Sequence, residues 1–347
     1  MESSPWVIKR ALAGAGIFAL AGALLAGCSG GGTGGASTQA LPHAPPASGR
    51  GAVKMLKPVT VSRANTAAVM SKLVRATAYY SPRRGARLRL LKTNRSPMTV
   101  SQGMDLSYYG GPVQTGANEY NILVNCGDES CWGGMISQFQ NDLFGSNMMS
   151  ILSQYNASGS YGVGGDIPAS YQISGTLQDQ DIFNILYSVI TANGLSTGYG
   201  SEFHVFLGQG VDECSNAAGG CYSPDNPSQW AFCAYHGSND WSDIGHVLYS
   251  VEPYQGVNGC EVSNQSSPNG VLADSTASTL SHETFETITD SDVAANNLAW
   301  YNQQGGEIGD LCAPAAGVPT GNVQLQADTW EIQMEYDNNI HDCSYSL

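Results

Sequence analysis

The segment Ser281-His282-Glu283-Thr284-Phe285-Glu286-Thr287-Ile288-Thr289-Asp290 holds the residues whose types and spacing best suit chemistry. Its pattern predicts a helix from about Ser275 to Thr289, with Asp274 or Ser275 able to cap the start. Ala277, Leu280 and Ile288, with Phe285 at the edge, make the apolar stripe. His282 and Glu286 then stand one turn apart, roughly opposite that stripe. An imidazole and a carboxylate so placed can grip one cation, and Glu283 beside them can take a proton from water. The competing reading of this HExxE pattern is a solvated acidic helix face. Elsewhere, His204 and His236 sit beside apolar residues and Cys233 and read as structural, while His341 has no patterned partner. Gly162-Val163-Gly164-Gly165-Asp166 and Gly198-Tyr199-Gly200 lack any Lys and read as loops, not phosphate cradles. No Gly-x-Ser-x-Gly elbow marks a serine hydrolase, and nothing selects a carboxylate pair for glycoside hydrolysis.

The same helix resembles the HExxH helix of zinc peptidases, with Glu286 in the place of the second His. That resemblance implies a third ligand downstream. Glu307, 25 residues after His282, takes that role, and Asp310 becomes the partner that orients His282. Asp290, Asp292 and His246 are its rivals. A wider, ordered set of segments resembles the exordium-like (phosphate-induced) family. It comprises Tyr108-Tyr109-Gly110-Gly111-Pro112-Val113, Phe206 to Val211 with Cys214 and Cys221, and Phe232-Cys233-Ala234-Tyr235-His236. It continues with His282-Glu283-x-x-Glu286-x-x-Thr289-Asp290, Ala299-Trp300-Tyr301 and Glu307-Ile308-Gly309-Asp310-Leu311-Cys312. Ser291 stands where that family usually has Pro, and Tyr109 where it has His, which argues against a metal role at Tyr109. The resemblance covers about 105–347 and implies an extracellular protein, linked in plants to growth and the cell wall. It also joins His282, Glu283, Glu286, Glu307 and Asp310 into one constellation.

Several elements must position these groups. Tyr120–Asn125, Phe203–Leu207, His246–Val251 and Trp330–Met334 read as strands, and Met135–Gln154 and Leu177–Asn193 as helices. Val59–Ala78 suggests a further short amphipathic helix. Turn-rich stretches, Gly208–Trp230 and Gln255–Gly270, carry several cysteines. The fold class expected is α+β: a mixed β-sheet packed with helices in a zincin-like metallopeptidase architecture, with disulfide-stapled loops.

Charge divides the chain. All 14 Lys and Arg lie between Lys9 and Arg95, and Glu2 is the one acid in residues 1–95, so the other 28 of 29 acids fall in 96–347. An acidic domain of this kind excludes nucleic-acid binding. Lys9-Arg10, the apolar run Ala11–Ala26 and Leu25-Ala26-Gly27-Cys28 resemble a bacterial lipoprotein signal at 1–27, with Cys28 as the lipidated residue. Removing Cys28 leaves Cys126, Cys131, Cys214, Cys221, Cys233, Cys260, Cys312 and Cys343, an even set suited to four disulfides in an exported protein. Nearest-neighbour pairs such as Cys126 with Cys131 and Cys312 with Cys343 are the simplest guess. Residues 28–50 read as a flexible tether, 51–98 as a basic arm or pro-segment-like region able to dock on the acidic domain, and 99–347 as that domain.

The function expected is a metal-dependent hydrolase anchored in the bacterial envelope by its N-terminal lipid alone, at the outer membrane or extracellular face. Its substrate would be a peptide or protein. Zn²⁺ is the expected cofactor, and with two carboxylates in the ligand set Mn²⁺ or Ca²⁺ could compete. Relief of acidic self-repulsion suggests an optimum below neutral pH. The alternative is a non-catalytic surface protein that binds wall polysaccharide or a protein partner, with Trp132, Trp230 and Trp241 available to sugars.

Overall fold

In a computed structural model, which describes residues 53–82, 105–262, 266–293, 297–302 and 306–347, two cores on opposite sides of one sheet organise the chain. The signal segment, Cys28, the tether and the basic run 83–92 lie outside the described residues. Seven strands build the sheet: β1 (Val59–Val61), β2 (Leu73–Pro82), β3 (Gly116–Val124), β4 (Ser160–Tyr171), β5 (Ser201–Phe206), β6 (Phe232–Trp241) and β7 (Gly245–Glu252). Their order is β1-β4-β3-β5-β7-β6-β2. Pairing is parallel from β1 through to β7 and antiparallel for β7 with β6 and β6 with β2. The sheet is therefore mixed, as expected, but its parallel half alternates with helices rather than standing apart from them.

Helices α1 (Thr66–Met70) and α3 (Asp179–Asn193) cover one face. A capping box between Gln178 and Asp181 starts α3, and Gly194 at φ 60° ends it in the left-handed region that glycine favours. Ile182, Ile185, Leu186 and Val189 recur with helical spacing and pack on Ile122, Val124, Phe203, Val205 and Tyr249. Each such fully buried side chain contributes about 1.5–3 kcal/mol. Helices α2 (Ile136–Phe144) and α4 (Val271–Thr289) cover the opposite face with a hairpin of β8 (Gly321–Leu325) and β9 (Asp328–Ile332). Phe139, Leu143, Leu280, Phe285, Ile288 and Trp330 fill that second core.

Three expectations change. The helix expected over Val59–Ala78 shrinks to α1, because the alternation around Arg75-Ala76-Thr77-Ala78-Tyr79 instead makes β2, paired along β6. Residues 53–82 therefore belong to the sheet and supply both its outer strands, where the charge partition placed a separate arm. Gly162–Asp166, read as a loop, lies within β4. Glycine is needed there because a β-carbon on Gly164 would stand 2.5 Å from the Tyr120 ring. Four disulfides join Cys126 with Cys131, Cys214 with Cys221, Cys233 with Cys260 and Cys312 with Cys343.

Candidate functional site

Helix α4 carries the HExxE segment but is not amphipathic. It starts after Gly270, not at Asp274 or Ser275, and every residue from Leu280 to Thr289 is buried. Its Ser, Thr and Ala side chains are small enough to let it pass between the sheet and β9. The solvated acidic face is thereby ruled out for this segment. Under α4 the sheet is polar: Asp166, Asn121, His204, Ser250, His236 and Tyr79 are register partners in one row across β4, β3, β5, β7, β6 and β2.

His282 is oriented by Gln333, not by Asp310. Gln333 Nε2 donates to the Gly309 carbonyl at 3.2 Å, which turns its oxygen toward His282 Nδ1 at 3.1 Å. The Nδ1 proton is thus engaged, and the Nε2 lone pair faces inward. Glu286 Oε1 lies 2.9 Å from it and Asp310 Oδ1 3.9 Å, yet Nε2 makes no hydrogen bond. Glu286 Oε1 also accepts the Asp310 amide at 3.1 Å. The segment from Gly306 to Asp310 wraps this imidazole closely, and a β-carbon on Gly309 would stand 2.6 Å from His282 Nδ1.

Glu307 goes elsewhere. Its Oε2 lies 3.1 Å from Nε2 of His236, the histidine expected to be structural, and Glu286 Oε2 lies 3.6 Å from the same nitrogen. Two sets of possible ligands result: His282, Glu286 and Asp310, and His236, Glu286 and Glu307, with the donor atoms of each set within 4.8 Å of one another. Glu286 belongs to both. Glu307 Oε1, Asp310 Oδ1, Glu286 Oε2 and both oxygens of Glu283 are buried with no hydrogen-bond donor.

Burial, with the neighbouring carboxylates, pushes the Glu307 and Asp310 carboxyls well above the ordinary range. Burial does the same to Glu283, against the charge of His282, and raises Asp290 to about 7. Burial holds His236 down to about 4. His282 moves up because Glu286, Glu283 and Asp310 outweigh its own burial, a demand for positive charge that a proton or a cation would meet. The charge of Asp310, then burial, keeps the Tyr79 phenol protonated at the edge of the site, so β2 contributes a hydrogen-bond donor that sequence reading missed. A cleft reaches His282 between the Cys233–Cys260 disulfide, Thr279 and Ala313–Ala315.

Of the rivals, Asp290 lies beside Glu286 and Glu307, while His246 and Asp292 lie apart. His246 pairs with Asp240 at 2.7 Å and Asp292 at 3.1 Å beside Arg75, and half-exposed His341 pairs with Asp105. His204 sits between Glu119 at 3.0 Å and Ser250 at 2.9 Å. Ser250 donates to Glu252, and Glu202 and Glu119 raise the His204 pKa to about 9 against burial, which favours the charged ring. Trp132, Trp230 and Trp241 are buried core residues and offer no sugar platform. Searches among protein-family models, curated proteins and solved structures gave no match to this chain.

Proposed function

We propose that the chain is a metal-dependent hydrolase acting on peptide bonds, with its cation held around Glu286. The observation that carries the reading is the convergence of His282 Nε2, Glu286 and Asp310 in a buried space where Glu286 Oε2, Asp310 Oδ1 and both Glu283 oxygens have no hydrogen-bond donor. Zn²⁺ suits the imidazoles and Mn²⁺ or Ca²⁺ the carboxylates, in a zincin-like arrangement of a metal-binding helix laid on a mixed sheet. A bound divalent cation supplies polarisation of the scissile carbonyl and lowers the pKa of water.

The residues supply the rest. Glu283, whose oxygens have no structural partner, accepts the proton of the attacking water and returns it to the leaving amine. Tyr79 keeps its proton beside Asp310 at the edge of the site, where no Lys or Arg of 96–347 is available to supply positive charge. Gln333 and Gly309 fix the His282 ring. The lipoprotein-like signal and Cys28 support attachment to the bacterial envelope, where peptides would be met.

Glu283→Gln is the test. It should keep the metal content and lose at least about 100-fold in peptide-library cleavage, the scale of general-base catalysis. The second reading, a surface protein with a structural cation, is favoured by the complete burial of the ligands. A Glu283→Gln protein with unchanged metal and unchanged cleavage would establish that the activity does not run through this site.

A further inference from the structure

The buried pocket around α4 holds more carboxyl groups than one divalent cation would ligate. Glu283, Glu286, Asp290, Glu307, Asp310 and Glu335 are all buried there, and each has at least one oxygen without a donor. None of the ion pairs formed by the described Lys and Arg reaches them: Arg63 pairs with Asp181, Lys72 with Asp243, and Arg75 with Asp240 and Asp292. Two imidazoles are the only basic side chains paired with this set among the described residues, and they face the two oxygens of one carboxylate. His282 faces Glu286 Oε1 and His236 faces Glu286 Oε2. Each imidazole has its own further carboxylate, Asp310 for His282 and Glu307 for His236. Burying unpaired carboxylates is strongly unfavourable, so such a constellation persists only if cations occupy it or protons neutralise it.

From this symmetry about Glu286 we propose that the site binds two divalent cations bridged by the Glu286 carboxylate, one on His282 and Asp310 and the other on His236 and Glu307. The inference rests on the reading of this pocket as a metal site and changes its stoichiometry. A pair of ions spanned by one carboxylate suits substrates whose attacked and departing oxygens or nitrogens both need charge stabilisation. It also explains why Glu307 sits with a histidine on a sheet strand, far along the chain from α4.

Mn²⁺ alone, titrated into the full chain after chelator treatment and dialysis, provides the test. Elemental analysis should then find two Mn²⁺ per chain, and electron paramagnetic resonance should show an exchange-coupled pair. Asp310→Asn and Glu307→Gln should each lower the count to one and restore the six-line spectrum of an isolated ion, while Glu286→Gln should lose both. One uncoupled Mn²⁺ in the unaltered chain would overturn the paired site and leave the single-ion hydrolase standing. No bound Mn²⁺, Zn²⁺ or Ca²⁺ would overturn both. The unaltered chain decides the count by itself, so a variant that fails to fold does not remove the test.

Discussion

Gly309 lies so close to the His282 imidazole that any side chain there must displace the ring. Gly309→Ala should therefore cost about 1–3 kcal/mol, as overpacking does. It should also weaken metal binding about 10–100-fold, the range for changes to groups that orient a ligand. Thermal unfolding with and without chelator, and a metal titration, separate the two effects; unchanged affinity in a destabilised protein would show that the ring's position does not matter. His282, Glu283 and Glu286 could be grouped from the sequence because they lie on one helical segment, whereas Asp310 was joined to them in the orienting role that Gln333 fills. His236 was not. It lies 71 positions from its Glu307 partner, and only the pairing of β6 with β7 beneath α4 brings it in. Gln333 was hidden for the same reason: no local spacing relates a residue just beyond β9 to the ring it orients.

The elements show why pattern reading succeeds on one face of the sheet and falters on the other. On the α3 face, apolar residues at helical spacing meet apolar alternation in the strands, and the expected elements at Leu177–Asn193 and Phe203–Leu207 correspond to α3 and β5. On the α4 face both partners are polar and buried. There the amphipathic rule misplaces His282 and Glu286 in solvent, because nothing local says that Ser and Thr will be covered by β9. β2 and β4 escaped for a related reason, since the small residues of β2 and the glycines of β4 carry little hydrophobic signal. One consequence concerns residues 53–82. A chain lacking residues 1–82 loses β1, β2 and Tyr79 together and exposes β6 and β4 as new edges. It should be largely insoluble or unfolded by circular dichroism, whereas removal of residues 1–50 alone should leave the domain folded. A folded, cooperative protein after the longer truncation would contradict the assignment of these strands.

Across the whole molecule, burial of acids sets how stability depends on pH. Burial raises Glu202 to about 8 and Glu252 to about 7, as it raises Asp290 to about 7, while unfolded carboxyls titrate near 4. These groups bind protons more tightly in the folded chain, so their contribution is full below pH 4 or so and is lost as pH rises through about 7–8. His204, raised to about 9, is lost in the same direction. His236, held down to about 4, opposes them between that value and its ordinary range near 6.5. The metal-free protein should therefore melt several degrees higher near pH 5 than near pH 8 by the sum of these linkages, and bound cation should flatten the difference. A metal-free melting temperature that rises over that interval would reverse the sign of the argument. The acidic composition was plain in the sequence, but its meaning was read as surface repulsion; the structure moves a large part of that charge into the interior.

Cation binding at Glu286 underlies both the proposed catalysis and the proposed ion pair, and elemental analysis of the full chain, made in an oxidising compartment, tests it most directly. The protein as purified, set beside Glu286→Gln, should retain divalent cation through dialysis, and the variant should retain none. Equal metal content in the two, or none in either, would contradict a cation site at the centre of this fold.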